Sequence, residues 1–389
     1  MIGRIPRRYA IARFLPVGML ICGCALVGSC RSAGGLGSPS ASAQAHESLR
    51  LQGIADRAMR QGHVPGMALL EVRDGIALPE VVRGVRANGT PDTLVPGDPW
   101  HIGSNAKPMT AILIARLVQQ GKLSWSTPLG RLLPSLAGSM RAEYRDATLV
   151  DLLSHRSGLP ENTDIAFLES FYDRHDPLPQ QRLAYVARAL RDAPAAARGT
   201  YRYSNTGFIL AAVVAENATH VPYEVLVRTE VFEPLGMSGA GFGPTSAGQP
   251  LGHEGGKPQL GPRADNPSMF APAGGIFMPM QDWAKFAIDQ IEGAHGKGRL
   301  LSQAGYAFLQ SPIEGGDAHA NGLDWGVHRQ AFGILLTHNG SNGYWYAVIG
   351  VSPESRNAIL VAANAAEDAQ GDVVTGYALR ETIGGWGKP

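Results

Sequence analysis

Past its first thirty residues this 389-residue chain contains no cysteine, since Cys22, Cys24 and Cys30 all precede Arg31. The folded part therefore has no disulfide framework and no thiolate metal cluster, and an apolar core must hold it. No acidic residue precedes Glu47, whereas Arg4, Arg7, Arg8 and Arg13 all lie in that first stretch. Without those four arginines, 30 basic residues face 33 acidic ones, a net charge of −3 that provides no basic face for nucleic acid. No nucleic-acid partner is expected. The eleven histidines are scattered, with no His-Glu-x-x-His helix, and no serine sits in a Gly-x-Ser-x-Gly elbow. That excludes the usual zinc-peptidase helix and the α/β-hydrolase nucleophile; no metal or other cofactor is called for. No fixed-period repeat is present, which argues against a solenoid or propeller.

What is there begins with a leader. Residues 1–13 are arginine-rich and Phe14 to Val27 is an apolar run of fourteen. This is too short to cross a bilayer core of about 30 Å comfortably. Residues 1–30 read as a signal peptide. The run ends in Val27-Gly-Ser-Cys30, which resembles a bacterial lipoprotein box with Cys30 as the lipidated residue. A plain secretory signal that discards Cys30, or an uncleaved anchor, remains open, and Arg7-Arg8 is compatible with twin-arginine export. The small, Ser- and Ala-rich stretch that follows reads as a flexible linker over 31–48. The expected product is exported, periplasmic and lipid-anchored to a bacterial membrane.

Hydrophobic residues make up 44% of the chain and charged ones 17%, a composition that suits a soluble globular protein of two lobes. Apolar residues at helical spacing (Leu49, Ile54, Ala58) predict a helix over 47–61. Val64–Val72 and Ile76–Val85 predict a hairpin turning at Asp74-Gly75. Strands recur over 331–349 and 356–363, and a helix closes the chain over 373–383. Between the ends, the patterns at 107–120, 149–154, 180–191, 207–218, 223–232 and 281–291 are helical. The expected domain covers 49–385, with an α/β lobe from about 49–105 and 275–385 and a helical lobe from about 106–274. A cleft between lobes is the natural place for a site.

Three short motifs carry chemistry. Ser104-Asn-Ala-Lys107 opens a predicted helix, so Lys107 lies one turn beyond Ser104 on the same face, where an amine can reach the hydroxyl. A simple helix cap followed by a surface lysine would give the same tetrad. Tyr203-Ser-Asn205 occupies a loop before the helix at 207; a phenol can relay a proton and an amide can both donate and accept. A buried tyrosine beside an Asn turn is the alternative. His338-Asn-Gly340-Ser341 ends an apolar strand, and Gly340 allows a backbone to approach closely. The same His-x-Gly triplet occurs at His101 and His253, so only position singles out the third.

Together and in this order, the motifs resemble the active-site triplet of the serine β-lactamase and penicillin-binding hydrolases, especially the class C and D-alanyl-D-alanine carboxypeptidase branch. The resemblance extends through Leu152-Leu-Ser-His-Arg-Ser-Gly-Leu-Pro160, Phe232-Glu-Pro-Leu-Gly-Met237, Pro272-Ala-Gly-Gly275 and Asn339-Gly-Ser-Asn-Gly-Tyr344. It implies a mixed α/β (α+β) β-lactamase/transpeptidase-like fold, with an antiparallel sheet flanked by helices, a mainly helical lobe and the site between them.

The resemblance further implies that Ser104 attacks a carbonyl to form an acyl-enzyme, while Lys107 and Tyr203 share the proton transfers. Asn205 would orient substrate and Lys107, and the backbone amides of Ser104 and Ser341 would hold the oxyanion. The substrate would be a small molecule or peptide: a D-amino-acid peptide of the cell-wall type, a small ester, or a β-lactam. The departure is His338, where many β-lactamases carry the lysine of Lys-Thr-Gly. Histidine points toward the peptidase and esterase branches and to pH-dependent affinity for anionic substrates. A penicillin-binding sensor with little turnover is the alternative of another class.

Overall fold

A computed structural model describes residues 41–313 and 322–386. The leader, Cys30 and the linker up to residue 40 lie outside the described residues. From Ala41 the chain is helical: α1 spans Ala41–Met59, so the flexible-linker expectation is corrected over 41–48. Alanine-rich composition suits a helix as well as a linker, and Glu47 ties this turn down through ion pairs to Arg50 and Arg73. Leu49, counted in the helical pattern, is 67% exposed. The buried stripe is Leu51, Ile54, Ala55 and Ala58, at the spacing of one helical face.

The main sheet has seven strands. β1 (Gly66–Arg73), β2 (Ile76–Ala77) and β3 (Val81–Gly84) come from the N-terminal hairpin. β9 (Gly326–Gln330), β10 (Gly333–Ser341), β11 (Tyr346–Ser352) and β12 (Asn357–Ala363) come from the C-terminal part. The order is β2-β1-β12-β11-β10-β9, with β3 also on β1 and every described pairing antiparallel. The predicted second hairpin strand is broken at Leu78-Pro79-Glu80, where proline removes a ladder donor. Met67 and Leu69 of β1 face the smaller core with α1 and the closing helix, whereas Ala68, Leu70 and Val72 face the larger core. Burial on both faces explains why β1 reads as a near-continuous apolar run rather than an alternating one.

The chain between the two halves of this sheet is mostly helical. α2 (Ala106–Gln119), α3 (Leu178–Ala189) and α4 (Asn205–Thr219) lead it. Residues 106–117 of α2 are buried apart from Arg116, so this helix is the axis of the larger core rather than an amphipathic surface element. A three-stranded sheet of β4 (Pro99–His101), β8 (Ile276–Pro279) and β5 (Gly241–Phe242) frames the entry to and exit from this region. Two-residue strands β6 (His253–Glu254) and β7 (Lys257–Pro258) form a small ribbon. α5 (Met280–Ala294) then packs on β1 and β12, and α6 (Gly371–Ile383) on β11, β12 and α1. The sheet thus carries α5 on one face and α1 with α6 on the other.

Candidate active site

Ser104 sits in a single 3-10 turn, Gly103–Asn105, between β4 and α2. The turn is wedged against β10 by two glycines. Gly103 adopts φ +54°, and a Cβ there would meet the Ser341 amide; a Cβ on Gly340 would overlap the Ile102 carbonyl and the Ser104 amide. Only glycine permits this backbone-on-backbone approach, which brings the Ser104 and Ser341 amides to one junction. Asn105 locks the turn from below, donating its amide to the carbonyls of Ile102 (2.7 Å) and Ala347 (3.1 Å).

Around Ser104 Oγ the expected groups converge. Lys107 Nζ lies 2.8 Å away and also donates to the Ala273 carbonyl at 2.6 Å; the Tyr203 hydroxyl is 2.7 Å from Oγ. Lys107 is fully buried, its Nζ 4.9 Å from the centre of the Tyr203 ring. Burial holds its pKa down at about 7, against the opposing charges of Asp324 and Glu161. Burial also pushes the Tyr203 phenol well above its ordinary range, and raises Glu161 to about 7 despite Lys107 and Arg202 nearby. At neutral pH the pair therefore consists of a lysine poised between amine and ammonium and a phenol that keeps its proton.

Tyr203 is placed by the start of α4. Ser204 caps that helix, accepting from the Gly207 amide at 3.1 Å and donating to the Pro160 carbonyl at 2.7 Å. His155 grips the same loop twice: its carbonyl accepts from the Arg202 amide and its Nδ1 from the Ser204 amide. Its ring lies 4.6 Å from that of Tyr203.

The remaining expected residues are near the site but differently employed. Asn205 begins α4 and donates to Asn162 Oδ1 at 3.1 Å; Lys107 is held instead by Ser104 and Ala273, so the expected orienting contact from Asn205 is not among its hydrogen bonds. His338 shares a face of β10 with Gly340, but it is only 3% exposed and its Nε2 lies 3.0 Å from Asp324 Oδ2. Ser341 Oγ accepts from the Gly343 amide and contacts Glu367, leaving only its backbone at the junction with Gly103.

The competing His-x-Gly histidines are clamps. His101 Nδ1 accepts from the Gly103 amide while Nε2 is 2.9 Å from buried Asp265. His253 bridges Asn364 and Asn88. Glu161, His155 and Asp324 were missed in the sequence. His155 lies in a segment that resembled the family but carried no readable role, and Asp324 had no local signal at all. Among the described residues no group of three or more His, Cys, Asp or Glu could hold a metal ion.

The family model described as Beta-lactamase matches residues 51–383. Among curated proteins, the protein flp of Staphylococcus aureus (strain COL) is 23% identical over 320 residues, covering 80% of this chain and 62% of its own length. The unguisins hydrolase ungD' of Aspergillus campestris is 27% identical over 337 residues, covering 80% and 60%. The chain thus spans about three fifths of the length of these relatives. The octameric penicillin-binding protein homologue from Pyrococcus abyssi superposes with a TM-score of 0.70 at 23% identity, covering 87% of this chain and 78% of that one. The D-alanine carboxypeptidase AmpC from Burkholderia cenocepacia gives 0.70 at 20%, covering 87% and 99%. These structures share the fold. With the match running from α1 to the last turn of α6 and enclosing Ser104, Lys107 and Tyr203, the chain belongs to the β-lactamase family.

Proposed function

We infer that the protein hydrolyses an amide or ester through an acyl-enzyme on Ser104, with a D-amino-acid peptide or a small ester as substrate. One observation carries this reading: a serine hydroxyl held 2.8 Å from a buried lysine nitrogen and 2.7 Å from the hydroxyl of the half-buried Tyr203. Ser104 Oγ forms the bond to the carbonyl carbon as its proton passes to Lys107, the one partner whose pKa of about 7 leaves a neutral amine available near neutrality. Tyr203, which keeps its own proton, donates to the departing oxygen or nitrogen and regains a proton from Lys107. Water then attacks the ester carbonyl by the reverse relay, releasing the acid and restoring Ser104. The Ser104 and Ser341 amides hold the oxyanion in both steps, each worth about 3–4 kcal/mol in comparable sites.

The second reading, a class C-like β-lactamase, is disfavoured by the pairing of His338 with Asp324. A lysine at that position brings a full positive charge to a substrate carboxylate, whereas the histidine–aspartate pair carries zero or negative net charge. We also propose that the enzyme is exported and lipid-tethered outside the cytoplasm through Cys30, on the strength of the leader sequence alone. Metabolic labelling with palmitate, lost in Cys30→Ser, tests the tether.

The test of the chemistry uses parent and Ser104→Ala with a p-nitrophenyl ester, a D-alanyl-D-alanine peptide, a chromogenic cephalosporin and a fluorescent penicillin. Ser104-dependent turnover of ester or peptide with little cephalosporin loss is expected. Fast cephalosporin hydrolysis establishes the β-lactamase reading instead, stable labelling without turnover establishes a receptor, and equal turnover by Ser104→Ala refutes the acyl-enzyme.

A further inference from the structure

Behind Tyr203 lies a buried cluster in which Asp324 joins two histidines. Asp324 Oδ1 is 2.9 Å from His155 Nε2, and Oδ2 is 3.0 Å from His338 Nε2; all three side chains are at most 4% exposed. The tautomer of His155 follows from its contacts. Nδ1 accepts from the Ser204 amide, so it carries no proton, and the ring's one N–H must be on Nε2, donated to Asp324. Both ends of this bond sit in left-handed backbone, His155 at φ +59° and Asp324 at φ +71°. Such positions cost energy for residues with a Cβ, and aspartate and histidine are among the side chains that tolerate them.

We propose that Asp324 is a positioning residue for acylation: it clamps His155 beneath the Tyr203 ring and His338 on β10, and so keeps the Tyr203 hydroxyl on Ser104 Oγ. The mechanical link is short. His155 holds the backbone on both sides of Tyr203, at Arg202 and Ser204, and packs on the ring itself. Through His338 the same carboxylate is tied to the strand that ends in Gly340 and Ser341, so one side chain couples the proton-transfer group to the oxyanion edge.

The carboxylate also acts through its charge. Facing it are His155 from the loop after Leu149–Leu153, His338 from β10, Tyr201 and Tyr203 from the loop before α4, and Lys107 from α2; Glu161 also acts on Lys107 and Tyr203, and Arg202 acts on Glu161. A negative charge here favours the protonated form of Lys107 and of Tyr203. Removing it lowers the pKa of both, so the pH–rate profile moves toward acid. Loss of packing alone would leave the profile in place.

This inference rests on the acyl-enzyme reading, and Asp324→Asn tests it, since asparagine has the same shape and tolerates φ > 0. Turnover of a neutral p-nitrophenyl ester should show kcat reduced about tenfold or more with KM changed less than about threefold. The acid limb of kcat/KM should move down by about one pH unit. His155→Asn cuts the same clamp but leaves the carboxylate; kcat should fall while the limb does not move toward acid. A folded Asp324→Asn with parental kcat, or with reduced kcat and an unmoved limb, overturns the proposal. Should Asp324→Asn fail to fold, parental kcat in a folded His155→Asn overturns it. Ser104→Ala assayed in parallel separates the two ideas. Ester turnover that survives Ser104→Ala sinks the acyl-enzyme reading, whereas Ser104-dependent turnover indifferent to residues 324 and 155 sinks only this one.

Discussion

Lys107→Met, which keeps the length of the side chain and removes its charge, should abolish turnover and change how stability depends on pH. In the folded protein, burial holds Lys107 down at about 7, from an ordinary value of 10.5. Between about pH 7 and 10.5 the unfolded chain therefore binds a proton that the folded chain does not, so stability rises with pH across that window. Below about pH 7 the full penalty is in place. At about 1.4 kcal/mol per pKa unit, the lysine costs the folded state about 5 kcal/mol at pH 6 and about 2 kcal/mol at pH 9. Methionine has no such dependence. The unfolding free energy of Lys107→Met minus that of the parent should therefore shrink by about 2–3 kcal/mol from pH 6 to pH 9. Using the difference cancels the titrating groups that do not interact with Lys107; Glu161 does interact with it, while the lost hydrogen bonds to Ser104 and Ala273 add an offset that varies little with pH. Urea unfolding followed by tryptophan fluorescence measures it. Parallel pH dependences for the two proteins would refute the depressed lysine, and with it the assignment of Lys107 as the proton acceptor.

The same picture makes three further claims. Ser341→Ala should retain kcat/KM for the ester within about threefold, because the backbone amide, not Oγ, is offered to the oxyanion; a loss of a hundredfold would assign the hydroxyl a direct role. Gly340→Ala should lower kcat about a hundredfold or more and block penicillin labelling, because its methyl group would overlap the Ser104 amide and push the nucleophile off its partners; an active, labelled variant contradicts the wedge. Ile54→Ala on α1 should cost about 2–4 kcal/mol in urea unfolding yet leave ester kcat unchanged, since Ile54 packs in the smaller core on the side of the sheet away from Ser104.

What could be read in the sequence depended on whether the signal was local. The strands and helices around the site were legible because apolar periodicity is a property of neighbouring residues. The predicted closing helix over 373–383 is found at Gly371–Ile383, and the helix after Ser104 at Ala106–Gln119. Ser104 and Lys107 were legible for the same reason, being one turn apart, and Tyr203 because its tripeptide and order matched a known triplet. The error at the N-terminus was also local: Ala-Ser-Ala-Gln-Ala satisfies the composition of a linker and of a helix equally, and the ion pairs of Glu47, one within the helix to Arg50 and one across to Arg73 on β1, favour the helix.

The residues that support the site were not legible, and the reason lies in how far the contacts reach. Asp324 is 169 residues from His155 in sequence, and Asn105 meets Ala347 across 242. No period or motif encodes such a pairing; it exists only once the helical lobe has folded against the sheet. The three His-x-Gly triplets show the consequence. Each histidine is buried against a partner distant in sequence, Asp265 for His101, Asn364 and Asn88 for His253, and Asp324 for His338. The triplet specifies none of these partners. The third brings a glycine from a distant strand against the nucleophile's amide, where a Cβ would not fit, and it meets there the glycine of the first, Gly103. The chemistry of His338 is accordingly set by the carboxylate opposite it as much as by the imidazole. A histidine read alone suggests a switchable cation for an anionic substrate; a histidine locked to Asp324 is one arm of a brace that runs from β10 through His155 to Tyr203.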